Sequence, residues 1–390
     1  MRGALKQRSK GSWTLTFDTG HNVSGKRQRQ TVTIRGTKRQ AEARLAELIH
    51  KVGLGEYSNP TKVTVGGFLQ QWLQNHAWPN LSPETAQVYE IIANAHIIPA
   101  LGSIPLQKLT PERLQAFYAD KLARGRRDGS GGLSPRTVRH HHRLLHVVLE
   151  NAVKWRLISR NPADVVDPPR FNRKEMQAFD QDGLNEFLET IRETEYYPLF
   201  YTLLFTGLRR SEALALRWRD VDLVLGYISV NRTLHQLNDK SFVFRQPKTE
   251  KSRRTVALPP SLSIVLRQHR ESQQEQRELL ATAMSDDDLI FAQLDGSPLL
   301  PHSITNAWRR LVKQAGFQGV RLHDARHTHA TLMLKQGVNP KIISERLGHS
   351  SVVITLDTYS HVLPGLQEAA ARGFDEGLGR TNQGVMSSTG

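Results

Sequence analysis

Residues 161–175 read NPADVVDPPRFNRKE, with Pro162, Pro168 and Pro169 and no apolar period. Proline fixes its own φ, lacks a backbone donor and biases its predecessor away from helix, so the stretch reads as a linker between domains. What lies on its two sides differs in kind.

Upstream, residues 61–160 read as all-helical. Ser82-Pro83, Thr110-Pro111 and Ser134-Pro135 repeat one device, a capping hydroxyl followed by proline at the first helical position, where its missing N–H costs nothing. A further helix is expected through Phe68, Leu69, Trp72 and Leu73. In RTVRHHHRLLHVVLE, Leu144, Leu145, Val148 and Leu149 should face inward, while Arg136, Arg139 and Arg143 form a face suited to phosphates. His142 and His146 have the i, i+4 spacing of a helical metal pair. No further ligand follows at a suitable spacing, so no metal is expected there.

Further upstream, SWTLTFD (12–18) and QTVTIR (30–35) alternate apolar and polar residues around the turn HNVSGK, as paired strands do. Thr37 can cap a helix whose Ala41, Leu45, Leu48, Ile49 and Val52 share one face before Gly53. A small sheet backed by one helix results. Lys26, Arg27, Arg29 and Arg35 lie on or beside its strands and could be presented to a DNA groove.

Downstream, helical periodicity is interrupted by strand-like YISV (227–230), SFVF (241–244) and RTVAL (254–258). The expected fold is therefore multidomain and mainly α. A small sheet-plus-helix domain (1–55) precedes an all-α domain (61–160), the linker (161–175), a mostly helical α+β domain with a small antiparallel sheet (176–375) and a tail (376–390).

The 390 residues carry a formal net charge of +16. Residues 1–55 hold 12 Lys or Arg against 3 acids and residues 62–170 hold 14 against 8, whereas residues 171–390 are nearly balanced, with 27 against 25. A polyanion would meet the first half of the chain first. The sequence has no cysteine, which excludes disulfides, thiolate metal sites and cysteine nucleophiles. Neither a signal peptide nor a long apolar run is read, so the expected location is cytoplasmic, with no membrane partner.

Four stretches of the last domain carry chemistry. In FTGLRRSEALALRW (205–218), Gly207 can end one helix and SEALALRW begins another, which puts Arg209 at a junction with Glu212 three residues on to hold it; a surface salt bridge would leave the same pattern. Arg210 should turn about 100° away from Arg209. In LHDARHTHA (322–330), His323 and Arg326 share one helical turn. His327 and His329 invite a zinc reading, which the absence of an HExxH pattern disfavours. In ERLGHSSVVITLDTYSHV (345–362), His349 follows a glycine and Tyr359 lies ten residues further on. Lys248 stands in QPKTEKSRRTVAL at the approach to a strand, with Lys251 close enough to exchange register.

Together these supply two arginines, two histidines, a lysine and a tyrosine. Attack on a phosphodiester must neutralise the non-bridging oxygens, activate a nucleophile and protonate a leaving alkoxide. Arg209 and Arg326 can clamp the oxygens. Tyr359, with an ordinary pKa of about 10, can attack when cations surround it and a base is near. His323 is the candidate base, Lys248 the candidate acid and His349 a donor to the phosphate. This chemistry requires no metal.

In order, TGLRRSE, the PKT lysine, HDARH, LGHSS and DTYSHV make the chain resemble the tyrosine recombinase, or phage integrase, family. The resemblance implies a catalytic set of Arg209, Lys248, His323, Arg326, His349 and Tyr359 with Glu212 in support, a 3′-phosphotyrosine intermediate that releases a 5′-hydroxyl, and no need of ATP or any other cofactor. It further implies an N-terminal arm-site DNA-binding domain, a helical core-site domain, and a homotetramer acting on two duplexes to integrate or excise a mobile element. A helix through LPGLQEAAARGF (363–374) would pack on a neighbouring protomer, and a host DNA-bending protein and an excision factor would be accessory partners. Three other functions are weighed against it. A type IB topoisomerase would act as a monomer, and a non-catalytic DNA-binding protein should have lost part of the set. Metal-dependent transposition would need clustered carboxylates, for which Asp286, Asp287 and Asp288 form the acidic run available.

Overall fold

The computed structural model describes residues 3–21, 27–54, 57, 62–171, 176–237, 240–247, 253–359, 371 and 373–375. The chain divides into two units, Met1–Arg173 and Lys174–Gly390.

The first unit opens with an antiparallel sheet of three strands, β1 (Gly3–Ser9), β2 (Ser12–His21) and β3 (Arg27–Arg35), in that order. β2 and β3 are the two strands expected from alternation. Alternation does not locate β1, because its GALKQRS offers one large apolar residue, Leu5. Register stacks Leu5 on Leu15, Leu15 on Val32 and Trp13 on Ile34. This inner face packs on helix α1 (Lys38–Gly53) through Ala41, Leu45, Leu48 and Ile49. Thr37 caps α1 in a capping box with Gln40. The outer face pairs Thr14 with Thr33, Thr16 with Thr31, Asp18 with Arg29 and Ser12 with Arg35.

The helical part comprises α2 (Val65–Trp72), α3 (Trp78–Asn80), α4 (Pro83–Ile92), α5 (Ile98–Leu101), α6 (Pro111–Arg124) and α7 (Pro135–Lys154). π-turns at Leu73–Ala77 and Ala93–Ile97 join α2 to α3 and α4 to α5. Pro79 and Pro99 follow these turns; a proline cannot donate to the preceding turn and its ring crowds that turn's carbonyl, so the helix widens there. Ser82 and Ser134 cap as expected, each accepting from the third residue on, while the Thr110 side chain bonds to Glu112 and makes no cap bond to the backbone of α6. Leu144, Leu145, Val148 and Leu149 are buried. The presumed linker is in part core: Ala163 and Val166 are buried against the helices, and Asn161 donates to the carbonyl of His146.

The second unit contains α8 (Gln181–Ile191), α9 (Tyr197–Thr206), α10 (Arg210–Ala213), β4 (Val221–Asp222), β5 (Tyr227–Val230), β6 (Thr233–Gln236), β7 (Phe242–Arg245), β8 (Arg254–Ala257), α11 (Pro260–Leu279), α12 (Pro301–Gln314), α13 (Asp324–Lys335), α14 (Pro340–Leu347) and α15 (Val352–Tyr359). β4, β5 and β8 form one antiparallel sheet, β6 and β7 another. Three of these strands match the expected ones; β4 and β6 are too short and polar to be read from sequence. Helix α9, YPLFYTLLFT, is buried along nearly its whole length, the pattern of a helix inside a core. Among the described residues no helix is long and apolar enough to cross a membrane.

Candidate active site

Three helix ends build the site. Helix α9 stops at Gly207, whose left-handed φ of 66° lets its N–H reach the Leu203 carbonyl. Helix α14 stops in the same way at Gly348, φ 67°. The carbonyls left over at these ends are electronegative and unpaired, so they attract cations. Arg326 of α13 meets both, donating from Nη1 to Gly207 O at 2.8 Å and from Nη2 to Leu347 O at 2.5 Å. Arg209 Nη2 lies 3.4 Å from Gly348 O.

The third end is the start of α10, where Arg209 is the cap. Its backbone N–H and Nη1 donate to the two oxygens of Glu212 at 2.8 and 2.7 Å. Glu212 is 1% exposed and is therefore no surface ion-pair partner. It also accepts Nη1 and Nη2 of Arg254 at 3.2 and 2.9 Å, and Arg254 Nε donates to Arg346 O at 2.6 Å. Burial pushes the Glu212 carboxyl up, but the Arg254 hydrogen bond and charge and the Arg209 charge outweigh it and hold the group below the usual carboxylate range. Arg210 points elsewhere, to Pro301 O and Thr305 Oγ1 at 3.0 and 2.6 Å, as helical geometry requires.

Tyr359, the last residue of α15, packs its ring among Ala330, Leu334, Ile343 and Leu347 and is 1% exposed. Its hydroxyl lies 2.6 Å from Nδ1 of His327. The rings of His323 and His327 meet edge to face, 5.0 Å apart. His349 Nδ1 lies 2.7 Å from Thr355 Oγ1. Arg209, His323, Arg326, His327, His349 and Tyr359 line one cavity of about 380 Å³. Arg209, His323 and Arg326 also line a larger hollow of about 920 Å³ that Arg309, Lys313 and Arg321 edge.

Burial sets the electrostatics first, and the crowding of cations adds to it. Burial and the charges of Arg209 and Arg254 lower Arg326 to about 9. Burial, then the charges of Arg326 and Arg209, lowers His349 to about 4. Burial, then His323, brings His327 to about 4, and His323 is itself lowered by burial and Arg326. Burial raises Tyr359 to about 12 despite the pull of Arg326. An anion bound in the cavity would offset the cationic part of the shifts on His323, Arg326, His327 and His349.

Five of the six residues singled out from the sequence thus share a cavity. The sixth, Lys248, lies outside the described residues, as do Lys251, Lys26 and, apart from residues 371, 373 and 374, the 363–374 segment. Arg27, Arg29 and Arg35 stand exposed on β3, where alternation sets them on the outer face, and Arg29 pairs with Asp18 at 3.2 Å. Arg136, Arg139 and Arg143 are exposed on α7.

The histidines that might have bound metal are otherwise engaged. His142 meets the Tyr118 hydroxyl at 3.0 Å, His146 meets Asp164 at 2.9 Å, and His329 lies between Leu204 O and Arg346 at 3.0 and 2.9 Å. Asp286, Asp287 and Asp288 pair with Arg270, Arg217, Arg219 and Arg277. Two residues at the site went unassigned in the sequence. His327 carried a legible signal, since it stands i, i+4 from His323 and so on the same face. Arg254 carried none, because its partner is 42 residues away.

Comparison with known proteins gives the family and the fold. Residues 175–365 match the phage integrase family, and residues 64–122 match the phage integrase N-terminal SAM-like domain. The chain is 32% identical to the ICEBs1 integrase of Bacillus subtilis (strain 168) over 296 residues, 75% of this chain and 78% of the relative. It is 26% identical over 374 residues to a tyrosine recombinase XerC-like protein of Caldanaerobacter subterraneus subsp. tengcongensis, 90% of this chain and 93% of the relative. The fold is shared with the Tn1549 transposon integrase in complex with circular intermediate DNA, at a TM-score of 0.69 and 20% identity over 80% of this chain and 99% of that one. It is shared also with a lambda integrase dimer bound to a COC' core site, at a TM-score of 0.55 and 17% identity over 91% and 94%. The chain belongs to the phage integrase family of tyrosine recombinases, enzymes of site-specific DNA recombination.

Proposed function

We propose that Tyr359 attacks a scissile DNA phosphate, forming a 3′-phosphotyrosine and freeing a 5′-hydroxyl. The observation that carries this reading is the single cavity lined by Arg209, His323, Arg326, His349 and the Tyr359 phenol. Arg209 and Arg326, held from behind by Glu212 and by helix-end carbonyls, clamp the non-bridging oxygens without reorganising. His323 and His349 donate to the same phosphate, a histidine of α13 takes the phenolic proton, and Lys248 protonates the leaving oxygen. The phosphotyrosine conserves bond energy, so a second 5′-hydroxyl reverses the step without ATP.

The DNA contacts follow from charge and face. Arg136, Arg139 and Arg143 of α7 contact core-site phosphates, the outer face of the N-terminal sheet, with Arg27, Arg29 and Arg35, enters arm-site DNA, and Lys26 contributes to binding the same DNA. Lys6 joins it, being paired with Thr14 on the outer face. The division into residues 1–55, 61–160 and 176–375, with a tail from 376, is the corresponding modular reading. Related folds have been solved as a dimer on a core site and as a tetramer on a Holliday junction, which supports a homotetramer on DNA here, with a DNA-bending host protein and an excision factor as accessories.

A suicide DNA substrate carrying a candidate core site tests the chemistry. The parent should yield a covalent adduct mapping to Tyr359, and Tyr359→Phe should bind the DNA normally and yield none. Recombination by Tyr359→Phe at the parental rate would refute the assignment.

A further inference from the structure

If Tyr359 attacks the phosphate as proposed above, its phenolic proton must pass to a neighbouring group. We propose that His327 Nδ1 is the base that accepts the Tyr359 proton as the oxygen attacks phosphorus, and returns it when the strand rejoins.

The geometry carries this assignment. Among the described residues, His327 is the imidazole hydrogen-bonded to the reacting oxygen, at 2.6 Å. His349 turns its Nδ1 to Thr355, and His329 has both ring nitrogens engaged. A phenol has one proton to give and an unprotonated Nδ1 one lone pair to take it, so the neutral His327 carries its own proton on Nε2. Burial and neighbouring cations keep the ring neutral, and so ready to accept, in the free protein. A bound phosphate offsets the charge of Arg326, one cause of that lowering, and the imidazole becomes more basic when its proton arrives.

The step balances within the chain and its substrate. The bond from Tyr359 Oη to phosphorus forms and the bond from phosphorus to O5′ breaks. The phenolic proton moves to His327 Nδ1, and O5′ takes a proton from the Lys248 ammonium. Rejoining reverses each transfer. His323, edge-on to His327, is left as a donor to the phosphate.

Two variants of the full chain on the suicide substrate separate this role from simple positioning. His327→Asn retains an acceptor atom near the place of Nδ1 but cannot carry the proton, and His327→Ala removes both. Both should bind core DNA as the parent does and cleave about 10²–10⁴-fold more slowly. The defect should persist when sulfur replaces the 5′-bridging oxygen, because a thiolate leaves without an acid, whereas a Lys248→Ala defect should shrink on that substrate. Cleavage by His327→Asn within about threefold of the parent, or recovery of both variants on the sulfur substrate, would overturn the proposal. Should His327→Asn fail to bind DNA, His327→Gln takes its place in the same comparison. A parent that forms no adduct at Tyr359 would instead overturn the phosphotyrosine reading, so the two failures are distinguishable.

Discussion

Arg254 donates from both terminal nitrogens to the carboxylate of Glu212, 42 residues earlier in the chain, and both side chains are almost fully buried. Removing one partner of such a pair strands the other in a medium that solvates charge poorly. Glu212→Ala should therefore cost about 3–5 kcal/mol and release Arg209 as well, so that adduct formation falls with stability. Urea unfolding followed by Trp218 and Trp308, both in the core of the second unit, measures the loss; a cost below about 1 kcal/mol would mean that the pair behaves as a surface bridge.

Gly207 is constrained twice. Its φ of 66° disfavours any side chain, and an added Cβ would meet Leu347 Cδ2 at 2.6 Å and His329 Cδ2 at 2.8 Å. Gly316, at φ 79°, has nothing within 4 Å of such a Cβ. Gly316→Ala should cost about 1 kcal/mol and Gly207→Ala about 1–3 kcal/mol more. Because Gly207 O holds Arg326, Gly207→Ala should also slow cleavage more than it weakens DNA binding. Equal thermal shifts for the two variants would contradict this.

Acid should weaken the catalytic unit before its carboxylates titrate. His327 and His349 are lowered to about 4 and His329 to about 3, each chiefly by burial. Below the ordinary histidine value of about 6.5 the unfolded chain binds protons that the native state refuses, so stability present above that pH is lost as pH falls toward the native values. Melting curves from pH 7 to pH 5 should show a steady decline, shallower in His349→Gln. A flat profile would indicate that these rings are protonated in the fold.

Arg136, Arg139 and Arg143 are exposed along one side of α7, with Arg139 also lying over the Phe171 ring at 5.3 Å. Replacing all three with alanine should reduce the slope of log affinity against log salt for core DNA by about 2–3, with melting nearly unchanged. An unaltered slope would remove α7 from the DNA interface.

Much of the architecture was legible because it is local. The caps at Thr37, Ser82 and Ser134 bond within three residues, and the apolar faces of α1 and α7 repeat within a helical turn. What escaped was set by partners far off. β1 is a strand because β2 pairs with it, and Ala163 and Val166 are buried because helices cover a stretch that composition alone reads as linker.

For the site, residue types in order were enough to name five of the cavity's residues, since phosphate chemistry calls for cations, a proton carrier and a nucleophile, and side-chain identity is all that requires. Which histidine meets the phenol, and that Arg254 completes the hold on Glu212, depended on the packed chain. Arg326 reaches a carbonyl 119 residues back and Arg209 one 139 residues ahead. Contacts over such separations are fixed by how α9, α13 and α14 pack and where the glycine ends of α9 and α14 leave carbonyls unpaired, and no window of sequence contains both partners.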